Sequence, residues 1–302
     1  MSNERAFIIT GPTSGYGHQT ALRLAEHGTV VLVGRDPGKL EGVKKEIEGR
    51  GGKALTVVCD LSDLVSVKRA AAEIAALKLP IAALVNNAGV GSASPPGKSA
   101  QGFDKSYATN HLGPFTFTEA LMPSLADGTT VVFVVSAVED PERKQAVMAG
   151  FRGARYISAE ACARGEWLPG GSKNTGFDAY ATTKQCGLAA AMVFAREQPR
   201  LRIIAVEPGF SPATGLGRGA NPFVLFLAKY VFGPILPLVM KGATTPAKAS
   251  QVIAAAALNA GKQTGVYLNE LGQPMQGSKQ IQDPAFQQRV VAETRALLAK
   301  AG

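Results

Sequence analysis

The segment FDAYATTKQCG, residues 177–187, sets a phenol and an amine four positions apart, at Tyr180 and Lys184. On a helix both side chains leave one face, one turn apart. A phenol ordinarily ionises near pH 10. A neighbouring ammonium stabilises the phenolate and brings that value down, so the pair is suited to general acid–base work. A Tyr-x-x-x-Lys spacing also arises on ordinary helix faces, and only the surrounding sequence separates the two readings.

A second chemical element lies near the start of the chain. TGPTSGYG, residues 10–17, follows a short apolar run and precedes an amphipathic stretch. Gly11, Gly15 and Gly17 permit a tight turn and close approach of the backbone to a ligand. The helix that follows offers unpaired N–H groups and the positive end of its dipole to a pyrophosphate. Thr13, Ser14 and Tyr16 complete the loop and are candidate cofactor contacts with the three glycines. Pro12 removes one N–H donor. The next apolar run ends VLVGRD, where an acidic residue would bind the ribose 2′-hydroxyl of NAD. Here Gly34 leaves room and Arg35 brings positive charge, which attracts a 2′-phosphate. The expected cofactor is therefore NADP(H) rather than NAD(H).

These groups must be held by a scaffold, and the pattern specifies one. Nearly all-apolar runs at residues 6–10, 29–34, 54–58, 81–86, 130–135 and 202–207 read as strands buried on both faces. Helix-like stretches at 17–27, 38–47, 64–77, 103–125 and 178–196 alternate with them. Residues 264–269 can add a last strand, and 283–300 a closing helix. Repeated βα units predict an α/β, Rossmann-type doubly wound parallel sheet with helices on both faces, in one domain over 1–302. An insertion at about 139–176 breaks the rhythm, and a stretch of that length usually carries structure or function of its own. Residues 223–240 are strongly apolar but interrupted by Lys229, Gly233, Pro234 and Pro237, a poor membrane span.

Composition narrows the classes. The 302 residues are 46% hydrophobic and 18% charged, as in ordinary globular proteins, and the net charge of +9 is dispersed rather than gathered in a basic run. No nucleic-acid partner is expected. Three cysteines and three histidines show neither ligand spacing nor a disulfide framework, so no metal is expected. The N-terminal residues are polar with no visible signal peptide, and a reducing, cytoplasmic setting is expected.

Taken in order, the motifs resemble the short-chain dehydrogenase/reductase family. They are Thr10-Gly11-x-x-x-Gly15-x-Gly17, Asp60-Leu61, NNAG at Asn86–Gly89, TNHLG with Asn110, Ser136, Tyr180-x-x-x-Lys184, and Pro208-Gly209. The resemblance covers most of residues 5–209. It implies hydride transfer between a nicotinamide and a carbonyl or hydroxyl. Tyr180 would be the general acid, Lys184 its tuning cation and a ribose contact, Ser136 a hydrogen-bond donor to the carbonyl oxygen, and Asn110 a helix kink linking the Lys184 side through water to solvent. Asp60 would bond the adenine amino group, or else cap the helix from Leu64. Leu61, Asn87, Ala88, Gly89, Pro208, Gly209 and Thr214 complete the implied cofactor contacts.

Ser136 and Tyr180 stand 44 residues apart, more than is common in the family. Similar extra length, TNHLGPF, PGFSPATGL and Cys186 are similar to the retinol-dehydrogenase-like and protochlorophyllide-reductase-like branches. Cys186 reads equally as a small buried apolar residue. The apolar stretch falls where the family places a substrate lid, here about 210–245, implying a hydrophobic small substrate; peripheral membrane contact is the other use of such a surface. The helices near Phe103 and Asp178 are dimer surfaces in the family, so a homodimer or a monomer is implied. Two rival readings remain: a C=C reductase of the protochlorophyllide type, and an NADP-binding regulator without turnover. The presence of Asn110, Ser136, Tyr180 and Lys184 together argues against the second.

Overall fold

The computed structural model describes residues 5–92, 97–209, 244–259 and 263–301. Seven short apolar runs form one sheet: β1 (Ala6–Thr10), β2 (Thr29–Gly34), β3 (Ala54–Val58), β4 (Ile81–Asn86), β5 (Thr130–Val134), β6 (Arg202–Val206) and β7 (Val266–Leu268). All pairings are parallel, in the order β3-β2-β1-β4-β5-β6-β7. β1 and β6 are buried at every position because helices cover both faces of the sheet. Two hydrophobic clusters result, one on each side.

The helices follow from their caps and apolar spacing. They are α1 (Gly15–Ala25), α2 (Pro37–Gly49), α3 (Leu64–Ala76), the single turn α4 (Lys105–Tyr107), α5 (Gly113–Leu121), α6 (Lys144–Met148), α7 (Ala159–Arg164), α8 (Thr175–Glu197), α9 (Pro246–Leu258) and α10 (Pro284–Ala301). Asp36 caps α2 through the Lys39 N–H at 3.1 Å, with Pro37 at the first helical position. α9 carries the same two signals, Thr245 as cap and Pro246 at its start, although its alanine-rich sequence lacks the apolar periodicity that predicts a helix. The insertion at 139–176 contains α6 and α7. The stretch at 210–243, which holds most of the expected lid and Thr214, lies outside the described residues.

The order of strands reverses between β1 and β4, which opens a crevice at their carboxyl ends. Register delivers the chemistry to that edge. Thr10 pairs with Val33, Asn86 with Phe133, and Val134 with Val206. The glycine loop, Arg35, the Asn87–Gly89 turn, Ser136 and the Pro208-Gly209 turn therefore all emerge on one side.

The stretch 103–125 is not one helix. Between α4 and α5 the chain makes a π-helical turn, Ala108–Leu112, with the Gly113 N–H bonded back to the Ala108 carbonyl. π turns widen a helix locally and recur at functional sites. This one carries Asn110, so the kink implied by the family resemblance is present.

α10 packs along α8 and α7. Arg295 pairs with both Glu197 oxygens, at 2.9 and 2.6 Å, and with Glu119 at 2.8 Å. His111 Nε2 meets the Thr294 hydroxyl at 2.9 Å, and the Tyr156 hydroxyl donates to Glu293 at 2.8 Å. The helices that resemblance marked as a dimer surface thus carry the chain's own C-terminal helix. Among the described residues no helix is long and apolar enough to cross a membrane.

His111 is 1% exposed, and burial alone pulls its imidazole down to about 3. The unfolded chain, with an ordinary histidine near 6.5, binds the proton first as pH falls. This group's contribution to stability is full above about pH 6.5 and is lost on acidification, at about 1.4 kcal/mol per pH unit down to the folded value. His111→Gln, which keeps a partner for Thr294, should shrink the stability difference between pH 7 and pH 5 by about 2 kcal/mol. Urea unfolding midpoints of both proteins at the two pH values check this; an unchanged difference refutes it.

Candidate functional site

The glycine loop is clamped to the turn after β4. The Thr10 hydroxyl accepts the N–H groups of Asn87 and Ala88, both at 3.0 Å. In return the Asn87 amide donates to the carbonyls of Thr10 at 2.9 Å and Gly11 at 3.3 Å. Gly11 has φ +67°, and a Cβ there would stand 2.8 Å from the Ala88 Cα. A Cβ on Gly17 would overlap the Gly11 carbonyl oxygen and the Asn87 amide. Both glycines are therefore required by close approach, not only by the turn.

Ser14 is the N-cap of α1, in extended conformation, and its side chain makes no capping bond. The Ser14 side chain therefore does not occupy the first turn of α1, which stands at the positive end of the helix dipole. A pyrophosphate fits this cradle of glycines and helix N-terminus. The Tyr16 hydroxyl donates to the Gly209 carbonyl at 2.9 Å, tying the loop to the Pro208-Gly209 turn.

The adenosine side is simpler. Arg35 is exposed at the end of β2 and has no hydrogen bond or ion pair among the described residues. Asp36 is engaged with α2 and with Lys39 at 3.3 Å. One Asp60 oxygen accepts the Ser62 N–H at 2.9 Å and its hydroxyl at 2.7 Å. The cap of α3 is Asp63, through the Val65 N–H at 3.1 Å, so the capping alternative for Asp60 falls away. The Leu61 side chain is in the core, and its carbonyl lies against Gly113.

Tyr180, Lys184, Ser136, Asn110 and Gly89 converge beside this cradle. Lys184, 7% exposed, donates from Nζ to the Val134 carbonyl at 3.0 Å and lies 5.5 Å from the Tyr180 ring centroid. A Cβ on Gly89 would be 3.7 Å from that Nζ and 3.2 Å from Asn110 Oδ1. Asn110 Oδ1 accepts the Val90 N–H at 2.8 Å, and Nδ2 donates to the Val90 carbonyl at 3.0 Å and to the Thr183 hydroxyl at 3.2 Å. Thr183 in turn donates to the Tyr180 carbonyl at 2.8 Å. Asn110 therefore fastens the turn after NNAG to α8.

The electrostatics differ from the expectation of a depressed phenol. Burial first, and then the Glu207 carboxylate, push Tyr180 above the ordinary phenol range; the Ser136 hydroxyl opposes them. Burial pulls Lys184 down to about 8, and Glu207 opposes that shift. The ammonium is aimed at the Val134 carbonyl rather than at the phenol oxygen. Cys186 is fully buried in the core, where burial raises its thiol well above the usual range, and such a thiol is inert.

Two features were not anticipated. Glu207 ends an apolar run, and a carboxylate in that position is itself a signal that strand periodicity does not use. The insertion brings Phe151 onto Phe177, stacked with centroids 4.3 Å apart, and to 6.3 Å from the Tyr180 ring. Spacing alone could not have placed that pair.

The sequence profile described as short chain dehydrogenase matches residues 5–149. A short-chain dehydrogenase/reductase of Armillaria gallica is 31% identical over 285 residues, spanning 93% of this chain and 86% of that one. The chain belongs to the short-chain dehydrogenase/reductase family of oxidoreductases, whose fold binds a nicotinamide cofactor. Retinol dehydrogenase 11 of Homo sapiens is 37% identical over 126 residues, 41% of this chain and 39% of that protein. Among solved structures, a Mycobacterium Paratuberculosis protein superimposes with a TM-score of 0.69 at 26% identity, covering 97% of this chain and 93% of that one. A short chain dehydrogenase from Burkholderia cenocepacia, solved in complex with NADP, gives 0.63 at 21% identity, covering 89% and 97%.

Because a Cβ at position 17 has no room, Gly17→Ala must displace the clamp between Gly11 and Asn87. It should weaken NADPH binding by more than about tenfold, roughly 1.4 kcal/mol, while far-UV circular dichroism keeps its native shape. Binding followed by NADPH fluorescence at unchanged affinity would remove the loop from the cofactor site.

Proposed function

We propose that the protein is an NADP(H)-dependent dehydrogenase/reductase that acts on the carbonyl or hydroxyl of a hydrophobic small molecule. The observation that carries this reading is that Asn110 and Lys184 meet at Gly89, with the Tyr180 ring 5.5 Å from the Lys184 ammonium and Ser136 acting on the phenol, on the same side of the sheet as the N-terminus of α1. A non-catalytic binder has no need of that set.

The residues divide the work by position. A bound nicotinamide dinucleotide supplies or accepts the hydride. Tyr180 holds the proton that a carbonyl oxygen takes up on reduction, and receives it back when an alcohol is oxidised. Ser136, whose hydroxyl already acts on the phenol, orients the same oxygen. Lys184, near the opening left by Gly89, would bind a ribose hydroxyl and keeps a positive charge beside the Tyr180 ring. Asn110 keeps Gly89–Val90 against α8, so the ligand-side turn and the acid share one frame.

NADP(H) is favoured because Arg35 is exposed with no partner among the described residues, while Asp36, the acid that would repel a 2′-phosphate, is engaged by Lys39 and α2. The solved relative bound to NADP agrees. A hydrophobic substrate is favoured by the Phe151–Phe177 stack beside Tyr180 and by Met148, 87% exposed on the same insertion. Retinol, the substrate in one relative's name, has that character.

Tyr180→Phe should lower kcat by at least about 10²-fold on an active aldehyde or ketone, with NADPH binding within a few-fold of the parent; undiminished turnover would refute the assignment. Arg35→Ala should weaken NADPH about tenfold or more and leave NADH nearly unchanged. Equal losses with both cofactors would assign Arg35 elsewhere.

A further inference from the structure

Glu207 follows β6 and is 7% exposed. Both carboxylate oxygens are committed: Oε2 accepts the Ala137 N–H at 2.6 Å and Oε1 accepts the Gly209 N–H at 3.1 Å. Ala137 directly follows Ser136, and the Ser136 hydroxyl also stabilises the carboxylate. Gly209, at φ +83°, is the turn whose carbonyl takes the Tyr16 hydroxyl, and a Cβ there would stand 2.9 Å from Thr244 and 3.0 Å from Glu270. One side chain thus connects the candidate substrate-orienting serine, the turn after β6 and the phosphate loop.

We propose that Glu207 is a positioning residue of the hydride-transfer site: its carboxylate holds Ser136–Ala137 and the Pro208-Gly209 turn in register and supplies the buried counter-charge to the Lys184 ammonium. The inference rests on the function proposed above, but its test does not require turnover.

A carboxylate this buried needs compensation. Two N–H donors and a hydroxyl supply part of it. The titratable and charged groups that face it are Tyr180 and Lys184 from α8, Arg143 from the insertion and Tyr267 from β7. Burial drives Glu207 upward, and Arg143 opposes this. Its negative charge supports the protonated form of both Lys184 and Tyr180. Lys184, which desolvation alone would discharge further, is kept charged by Glu207. Burial first, and the same charge second, keep Tyr180 protonated, the form that donates to a carbonyl oxygen.

The test reads Lys184 directly. In protein labelled with ¹³C at the lysine ε-carbon, the resonance absent from Lys184→Met is followed against pH. The parent midpoint is expected at about 8. Glu207→Gln should move it down by about one unit or more, whereas Glu207→Asp, which keeps the charge and shortens the reach, should hold it near the parent value. A bracing role without charge coupling predicts an unmoved midpoint in Glu207→Gln, and that result overturns the proposal. Should Glu207→Gln not fold, the coupling is read from its other end. The ¹³C δ-carboxyl of Glu207 should titrate about one unit higher in Lys184→Met than in the parent, because pairwise coupling is reciprocal. Equal midpoints there also overturn it. Loss of turnover in Tyr180→Phe bears on the catalytic reading alone, so the two can fail separately.

Discussion

The structure depends on the clamp between the end of β1 and the turn after β4. Four hydrogen bonds join Thr10 and Gly11 to Asn87 and Ala88 across the point where strand order reverses. A parallel sheet leaves the carboxyl ends of neighbouring strands with unpaired groups, and at a reversal no crossover covers them. The clamp satisfies those groups without filling the crevice. It also fixes how closely Gly11 and Gly17 can approach, and so where the first N–H groups of α1 point. With a looser joint here the phosphate cradle and the Gly89 opening would drift apart, and no placement of Tyr180 on α8 could compensate.

Burial sets the second constraint. α8 is buried along most of its length, so its polar groups are tuned by desolvation before any partner acts. That is why Tyr180 lies above, and Lys184 below, their ordinary ranges. Sequence reasoning gave the pair the opposite emphasis, because spacing shows that an ammonium is near a phenol but not which oxygen it addresses. In the folded chain it addresses the Val134 carbonyl. Glu207 opposes burial at Lys184 and adds to it at Tyr180, from a position three strands away from the glycine loop in the sheet.

Legibility followed the physics of each element. The first four strands match their expected limits residue for residue; β1, β2 and β4 are runs buried on both faces, with little freedom in composition, whereas β3, expected to be buried likewise, is the part-exposed edge of the sheet. The ends of β5 and β6 fall short of expectation: Val135 and Glu207 lie past the last paired residue, and the chain turns there to present Ser136 and Pro208-Gly209. The stretch 103–125 looked like one helix because apolar periodicity does not register a single extra residue in a turn, and the π turn is set by bonds from Asn110 to Val90 and Thr183, distant in sequence. α9 has few large apolar residues to mark a helical period, and only its cap and proline signal it in the sequence. Arg35, Asp60 and the glycine loop could be read from position along the strands; the stack of Phe151 on Phe177 could not, because it depends on how a long insertion folds back.

The insertion and the C-terminal helix act on the site through one shared device, carboxylates that bind backbone N–H groups, two of them buried (Glu139 and Glu207) and one half-buried (Glu293). Glu139 accepts the Ser278 N–H at 2.8 Å and its hydroxyl at 2.6 Å, joining the start of the insertion to the segment that precedes α10. Glu293 of α10 accepts the Ala159 N–H at 3.0 Å and the Tyr156 hydroxyl at 2.8 Å. Glu207 does the same for Ala137 and Gly209. Apolar packing alone tolerates small slips, whereas a carboxylate with paired donors has one satisfied geometry and a steep cost for leaving it. Directional bonds of this kind place the aromatic wall and the serine against Tyr180 with a precision that an insertion held only by hydrophobic contact would lack.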